Sequence, residues 1–81
     1  MAQNTTYNCW KNYQTWNVAL WIGNDEPLYR EAVDYARRTE RPTYRGFIAW
    51  VDLRGTTPDG AAWLGRKLDY PRLDEMIREL A

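Results

Sequence analysis

The sequence contains no histidine and only one cysteine, Cys9, among its 81 residues. Histidine is the side chain used most often for general acid–base catalysis and for activating a nucleophile. Structural zinc sites need several cysteine or histidine ligands. A single thiol cannot form a disulfide within the chain and is typical of a reducing compartment. The sequence therefore predicts neither a zinc centre nor a disulfide-stabilised scaffold.

Long apolar runs and an excess of either charge are also missing. No run approaches the roughly 20 apolar residues that cross a bilayer. The first ten residues, MAQNTTYNCW, lack the basic start and apolar centre of a signal peptide. With 11 basic and 11 acidic side chains, the formal net charge is zero, which a general DNA binder or an acidic DNA mimic would not have. We expect a cytoplasmic protein.

Carboxylates are the remaining candidates for catalysis. The adjacent pairs Asp25/Glu26 and Asp74/Glu75 both fall where a helix is predicted to begin, and the helix dipole favours negative charge there. There is no glycine-rich loop of the kind that binds phosphate. We therefore expect a protein that is not an enzyme and that has no metal site and no cofactor.

Aromatic residues are abundant instead. Five Trp, six Tyr and one Phe make up 15% of the chain. Each large ring buries about 150–250 Å², so a few of them can form the core of a small domain. The alternative is that two or three rings stay exposed as binding anchors, because Trp, Tyr and Arg dominate interface hot spots. Trp21, Trp50 and Trp63 are the candidates for such anchors.

Residues 12–25 have the sequence NYQTWNVALWIGND and form the densest apolar stretch. At 3.6 residues per turn, apolar side chains cover most of the circumference, which is typical of a central helix. Only Gln14, Asn17 and the edge of Trp21 are left to face water or a partner. Asn12 or Thr15 can cap the start, and a left-handed Gly23 can end the helix. A short buried strand is the competing interpretation.

Two further helices are predicted from their start and stop signals. Asn24 can cap a second helix with Pro27 in its first turn, and this helix ends near Arg38. Thr43 can cap a third helix, with Gly55 as its C-terminal stop.

The remainder of the chain combines a turn, a short apolar patch and a last helix. Gly46, inside the third helix, predicts a close helix crossing. Residues 57–60, Thr-Pro-Asp-Gly, form a strong turn signal. Residues 61–64 are either one helical turn or an irregular segment that fills the core with Trp63. Asp69 can cap the last helix.

The predicted fold is all-α. We expect a compact single domain of about four short helices around the central apolar helix, with one irregular connection. The helical domain covers residues 10–81, and residues 1–9 are predicted to form a mobile N-terminal arm.

A basic segment follows the second helix. Arg37, Arg38, Arg41 and Arg45, with Tyr44 among them, can contact single-stranded nucleic acid through phosphates and stacking. The alternative is a solvated helix end, where cations suit the dipole.

The motif in residues 12–26 resembles a family of small uncharacterised proteins of phages and bacteria, whose N-terminal part is close to NYxTWNVALWIxND. The turn at residues 57–60, Trp63 and the terminal segment 73–77 are similar to the later part of that family. The resemblance covers most of residues 12–80 and brings no catalytic residue. It implies a short phage-type accessory protein that binds one host protein, for example as an inhibitor of a CRISPR–Cas defence system.

Together these features favour a protein-binding module whose partner is a host protein in the host cytoplasm. The alternatives are a nucleic-acid-contacting module and a structural domain that forms a homodimer. The expected partner-binding residues are Trp21, Trp50, Trp63, Arg37, Arg38, Arg41 and Arg45.

Overall fold

The computed structural model describes residues 10–81 and contains four α-helices in this part of the chain. The predicted arm, residues 1–9, lies outside the described residues. The helices are α1 (Tyr13–Asn24), α2 (Glu26–Arg38), α3 (Tyr44–Val51) and α4 (Tyr70–Glu79). Between residues 10 and 81 the only β pairing is one isolated bridge, which joins Thr56 and Ala62. The all-α prediction is confirmed, and the strand interpretation of residues 12–25 is wrong.

The corner between α1 and α2 is tighter than predicted. Asn12 caps α1 by accepting a hydrogen bond from the Thr15 amide at 2.9 Å. Gly23, however, lies inside the helix and does not end it. Asp25 follows α1 directly and also caps α2, where its carboxylate accepts from the Leu28 amide at 3.2 Å. The predicted roles of Gly23 as a stop and of Asn24 as a cap are therefore wrong. One extended residue suffices to join the two helices.

α2 contacts each of the other three helices, whereas the extensive helix contact of α1 is with α2. The buried residues of α2 are Ala32, Tyr35 and Ala36, and Tyr35 packs against Phe47 and Trp50 of α3. In terms of helix packing, α2 thus holds the central position that was predicted for α1. α1 is nevertheless deeply packed, since Val18 and Ile22 are at most 1% exposed.

α3 is capped from two sides. The Thr43 hydroxyl accepts from the Gly46 amide at 3.0 Å, and Asp74 on α4 accepts from the Tyr44 amide at 2.8 Å. The helix ends earlier than predicted, because Asp52 takes up a left-handed conformation with φ 56°. Gly55 does have a positive φ, but it lies in the connection beyond the helix.

The irregular connection, residues 52–69, completes the core. Residues 57–60 form the predicted turn, closed by a hydrogen bond from the Gly60 amide to the Thr57 carbonyl at 2.9 Å. Trp63 is only 5% exposed, and its carbonyl accepts a hydrogen bond from the buried Tyr44 hydroxyl at 2.5 Å. The connection therefore fills the core with Trp63, one of the two predicted alternatives. Asp69 caps α4 as predicted.

Candidate functional site

A network of four polar side chains fastens the turn of the connection to α1. We call Asn17, Trp21, Thr57 and Asp59 the polar clamp. One Asp59 carboxylate oxygen accepts from Asn17 Nδ2 and from Trp21 Nε1, each at 3.0 Å. The Thr57 hydroxyl donates to Asn17 Oδ1 at 2.6 Å. Asn17 is 1% exposed, so the prediction that it faces water or a partner is wrong.

The clamp also has an electrostatic consequence. The hydrogen bonds from Asn17 and from Trp21, in that order of effect, lower the pKa of the Asp59 carboxyl below its usual value. Hydrogen bonds that favour the charged form have this effect in general.

The polar groups of the clamp are occupied by one another. The Thr57 hydroxyl donates to Asn17 and accepts from the backbone amides of Asp59 and Ala61, both at 3.2 Å. Trp21 is half-buried, and its one polar group, the indole N–H, donates its hydrogen bond to Asp59. The arrangement is suited to holding the connection in place. It also leaves Trp21 a poorer binding anchor than the sequence suggested.

A second anchoring point fixes the other end of the connection to α1. Asn12 Nδ2 donates to the Lys67 carbonyl at 2.7 Å, and the Asp69 amide donates to the Thr15 hydroxyl at 3.0 Å. With the polar clamp at residues 57–59, this point fixes the connection to α1 at two places. Trp63 lies between them, and its carbonyl accepts from Tyr44 of α3.

A concave surface lies between the start of α2 and the end of α3. This groove, the Trp50 groove, has a volume of about 420 Å³. Its lining residues are Asp25, Pro27, Leu28, Glu31, Trp50, Val51 and Leu53. Trp50 packs against Tyr35 with ring centroids 5.6 Å apart, yet 45% of its surface stays exposed. The groove thus combines an apolar floor, a half-exposed indole and two carboxylates.

A neighbouring depression extends this apolar surface. It is lined by the residues Leu53, Arg54, Gly55, Ala62, Trp63 and Leu64, so it shares Leu53 with the Trp50 groove. Leu64 is 53% exposed. We call the two depressions together the docking face. The other two exposed large apolar side chains of residues 10–81, Tyr13 and Tyr29, line neither depression.

Of the three predicted tryptophan anchors, the structure leaves Trp50 the most exposed. Trp21 is engaged in the polar clamp, and Trp63 is a core residue, 5% exposed, that can offer a partner only a small part of its surface. The sequence pattern did not indicate Leu28, Leu53 or Leu64. Leu64 carried the one available signal, since it ends an apolar patch directly before a glycine.

The predicted arginines have separate environments. Arg38 pairs with Asp34 at 2.7 Å, and this hydrogen bond raises the pKa of the guanidinium. Arg45 lies over the Tyr70 ring, 4.2 Å from its centroid. Arg37 lines a shallow groove beside Tyr29, apart from the docking face. Arg41 is exposed. Two of the four side chains thus have partners within the chain, which leaves less of a continuous basic surface for nucleic acid.

Two kinds of site are absent from the part of the chain that the structure describes. No three side chains of the metal-ligating types come together there. No helix among these residues has the length and hydropathy that a bilayer crossing requires.

The four helices and the connection form a small helical domain with two adjoining depressions on its surface. The chain belongs to a family of unknown function, DUF7249, whose model matches residues 3–81. The resemblance to an uncharacterised family is confirmed at this level. No curated protein and no solved structure matched the chain.

Proposed function

We propose that this protein is a non-enzymatic protein-binding module and that its docking face is the surface that meets the partner. The observation that carries the proposal is the half-exposed Trp50 ring in an apolar groove. The buried part of the ring is fixed against Tyr35. The ring is therefore already ordered, and it loses little conformational entropy when a partner binds its exposed part.

The arrangement matches the anatomy of protein interfaces. Hot spots are enriched in Trp and are surrounded by contacts that exclude water. Here Val51 and Leu53 line the same groove as Trp50, and Leu64 lies in the adjoining depression of the docking face. The polar clamp and the Asn12–Lys67 contact hold the part of the connection that carries Leu64 against α1. The Leu53 amide donates to the Ile48 carbonyl of α3 at 3.1 Å, which holds Leu53 at the end of that helix. A preorganised apolar surface of this kind costs little ordering entropy when it binds.

The kind of partner is proposed from the family resemblance. A short phage-type accessory protein acts by binding one host protein, and a component of a host defence system such as CRISPR–Cas is the proposed example. In this proposal the protein inhibits its partner by occupying a surface that the partner needs.

Affinity capture with matched variants tests the proposal. The immobilised protein is exposed to bacterial lysate as wild type, as Trp50→Ala, as Leu64→Ala and as Tyr29→Ala. Tyr29 is 42% exposed and lines a separate groove, so Tyr29→Ala is the control for losing an exposed ring. We expect one protein to be retained by the wild type and by Tyr29→Ala and to be lost with both docking-face variants. Equal retention by all four forms would overturn the proposal.

A further inference from the structure

The acidic end of the docking face carries an inference that rests on the proposed function. We propose that the Trp50 groove binds an arginine or lysine side chain of the partner, with the cation placed over the Trp50 indole and beside Asp25 and Glu31. The partner segment then continues with apolar side chains over Leu53 towards Leu64.

The charge of the groove favours a cationic ligand. Asp25 and Glu31 are its only charged lining residues, and both are acidic. The nearest cation on α2, Arg30, is paired with Glu26 at 2.9 Å. Among the ion pairs of residues 10–81, none uses Asp25 or Glu31. The groove therefore has a negative charge that no side chain of the described chain neutralises.

The exposed face of the Trp50 ring also favours a cation. A guanidinium or ammonium group is attracted to the face of an aromatic ring, and most strongly to that of Trp. The same chain twice places an arginine over a ring, with Arg45 over Tyr70 at 4.2 Å and Arg72 over Trp10 at 4.5 Å. Trp50, by contrast, is half-exposed beside two carboxylates and has no cation over it in residues 10–81.

The shape of an arginine or lysine side chain also fits the groove. Arginine and lysine have an apolar stem that packs on hydrophobic surface and a charged tip that stays beside polar groups. Leu28 and Val51 offer such a surface below the carboxylates. A nucleic acid is disfavoured here, because its phosphates would meet two negative charges. The groove thus complements a basic residue next to apolar ones in a protein segment.

The substitutions that test this inference preserve the fold. Asp25→Asn keeps the cap of α2, because asparagine caps a helix about as well as aspartate does. Glu31→Gln keeps the length of an exposed side chain. The double variant D25N/E31Q therefore removes the charge of the groove and leaves its shape. The control is E40Q/E79Q, which removes two exposed carboxylates outside the groove.

The probes are two acetylated tetrapeptide amides, with the sequences Leu-Arg-Ala-Leu and Leu-Gln-Ala-Leu. Each is titrated into ¹⁵N-labelled protein while the indole N–H signal of Trp50, assigned with Trp50→Phe, is followed. We expect the arginine peptide to shift this signal saturably and to bind about fivefold to tenfold more tightly than the glutamine peptide, as a few half-exposed charge contacts would give. D25N/E31Q should abolish the difference, and E40Q/E79Q should keep it.

Two results would overturn the inference. One is equal binding of the two peptides to the wild type, and the other is no shift of the Trp50 signal with the arginine peptide. Neither decides the proposed function, which is judged by the capture experiment. Trp50→Ala could lose the captured protein while D25N/E31Q retains it fully. That result would support the docking face as the binding surface and would contradict the cation site.

Discussion

The side-chain amide of Asn17 joins α1 to the connection through both of its polar atoms. Its Nδ2 donates to Asp59, and its Oδ1 accepts from Thr57. A buried amide is costly unless it is hydrogen-bonded. The clamp meets this requirement and at the same time fixes the turn that precedes Leu64. Asn17 thus connects core packing with the geometry of the docking face.

Replacing Asn17 by alanine should lower the free energy of unfolding by about 1–3 kcal/mol, because buried polar partners lose their hydrogen bonds. The matched control is Asn24→Ala, an exposed asparagine on the same helix. It should change stability by less than about 0.5 kcal/mol. Urea unfolding followed by circular dichroism measures both. Equal effects of the two substitutions would contradict the role given to the clamp.

Asp59 gives the clamp a dependence on pH. Its pKa is lower in the folded protein than in the unfolded chain, so its contribution to stability is present above the ordinary carboxyl pKa of about 4. The contribution is lost as the pH falls through the lowered pKa. We expect the stability difference between wild type and Asp59→Asn to shrink as the pH is reduced from 6 to about 3. A difference that is independent of pH would contradict this assignment.

The environment of Asn17 could not be predicted from its sequence pattern. Helical periodicity places a polar Asn17 among residues that can face water, because the pattern records polarity and not partners. The partners, Thr57 and Asp59, lie 40 and 42 residues further along the chain. A turn signal at residues 57–60 was visible, but nothing local connects it with α1.

At the scale of the elements, the crossing of α2 and α3 depends on Gly46. A Cβ at this position would overlap the Tyr35 hydroxyl, and Tyr35 itself is held between the rings of Phe47 and Trp50. The crossing therefore positions Trp50, whose ring rests on Tyr35. The group that comes close to Gly46 is the Tyr35 side chain of α2, and the predicted close crossing of the two helices stays a prediction.

Two glycine substitutions separate helix propensity from packing. Gly46→Ala should be destabilising, since the added methyl displaces Tyr35. Gly23→Ala in α1 meets nothing within 4 Å and should stabilise the protein by up to about 1 kcal/mol, the usual difference between the two residues in a helix. Thermal unfolding of both variants shows whether each substitution raises or lowers the stability of the protein. Stabilisation by Gly46→Ala would show that the crossing is looser than described.

The helix ends show which local signals were sufficient. Caps with a suitable side chain, at Asn12, Thr43 and Asp69, were predicted and are present. The corner at Asp25 was misplaced by one residue, because Asn24 and Asp25 are both good caps and only the packing of α1 on α2 decides between them. The left-handed Asp52 was missed, since glycine is the usual residue in that conformation.

For the whole molecule, the five tryptophans divide into core and surface roles that composition alone could not assign. Trp63 is 5% exposed and Trp50 is 45% exposed. Both follow short apolar segments in the sequence. The connection turns Trp63 inward and leaves Leu64 outside, whereas Trp50 lies on α3 with its ring against Tyr35. The four-helix fold was predictable from periodicity and caps, but the docking face was not, because it is formed by three segments distant in sequence.

Trp63→Ala should therefore destabilise the fold much more than Trp50→Ala does. Truncating a buried aromatic residue costs about 3–5 kcal/mol, which is much of the stability expected of a small domain. Trp63→Ala should unfold at far lower urea concentration than wild type or not fold at all. Trp50→Ala should stay folded with a smaller loss. If both variants lost the same stability, Trp50 would be a core residue and a poor anchor.

The most direct test of the docking face is site-specific photo-crosslinking. A benzophenone side chain is placed at position 64 or at position 29, in wild type and in Trp50→Ala, and each protein is irradiated in bacterial lysate. We predict one covalent adduct from position 64 that is absent from position 29 and is lost in Trp50→Ala. An adduct from position 29 alone, or one from position 64 that Trp50→Ala leaves unchanged, would contradict the account.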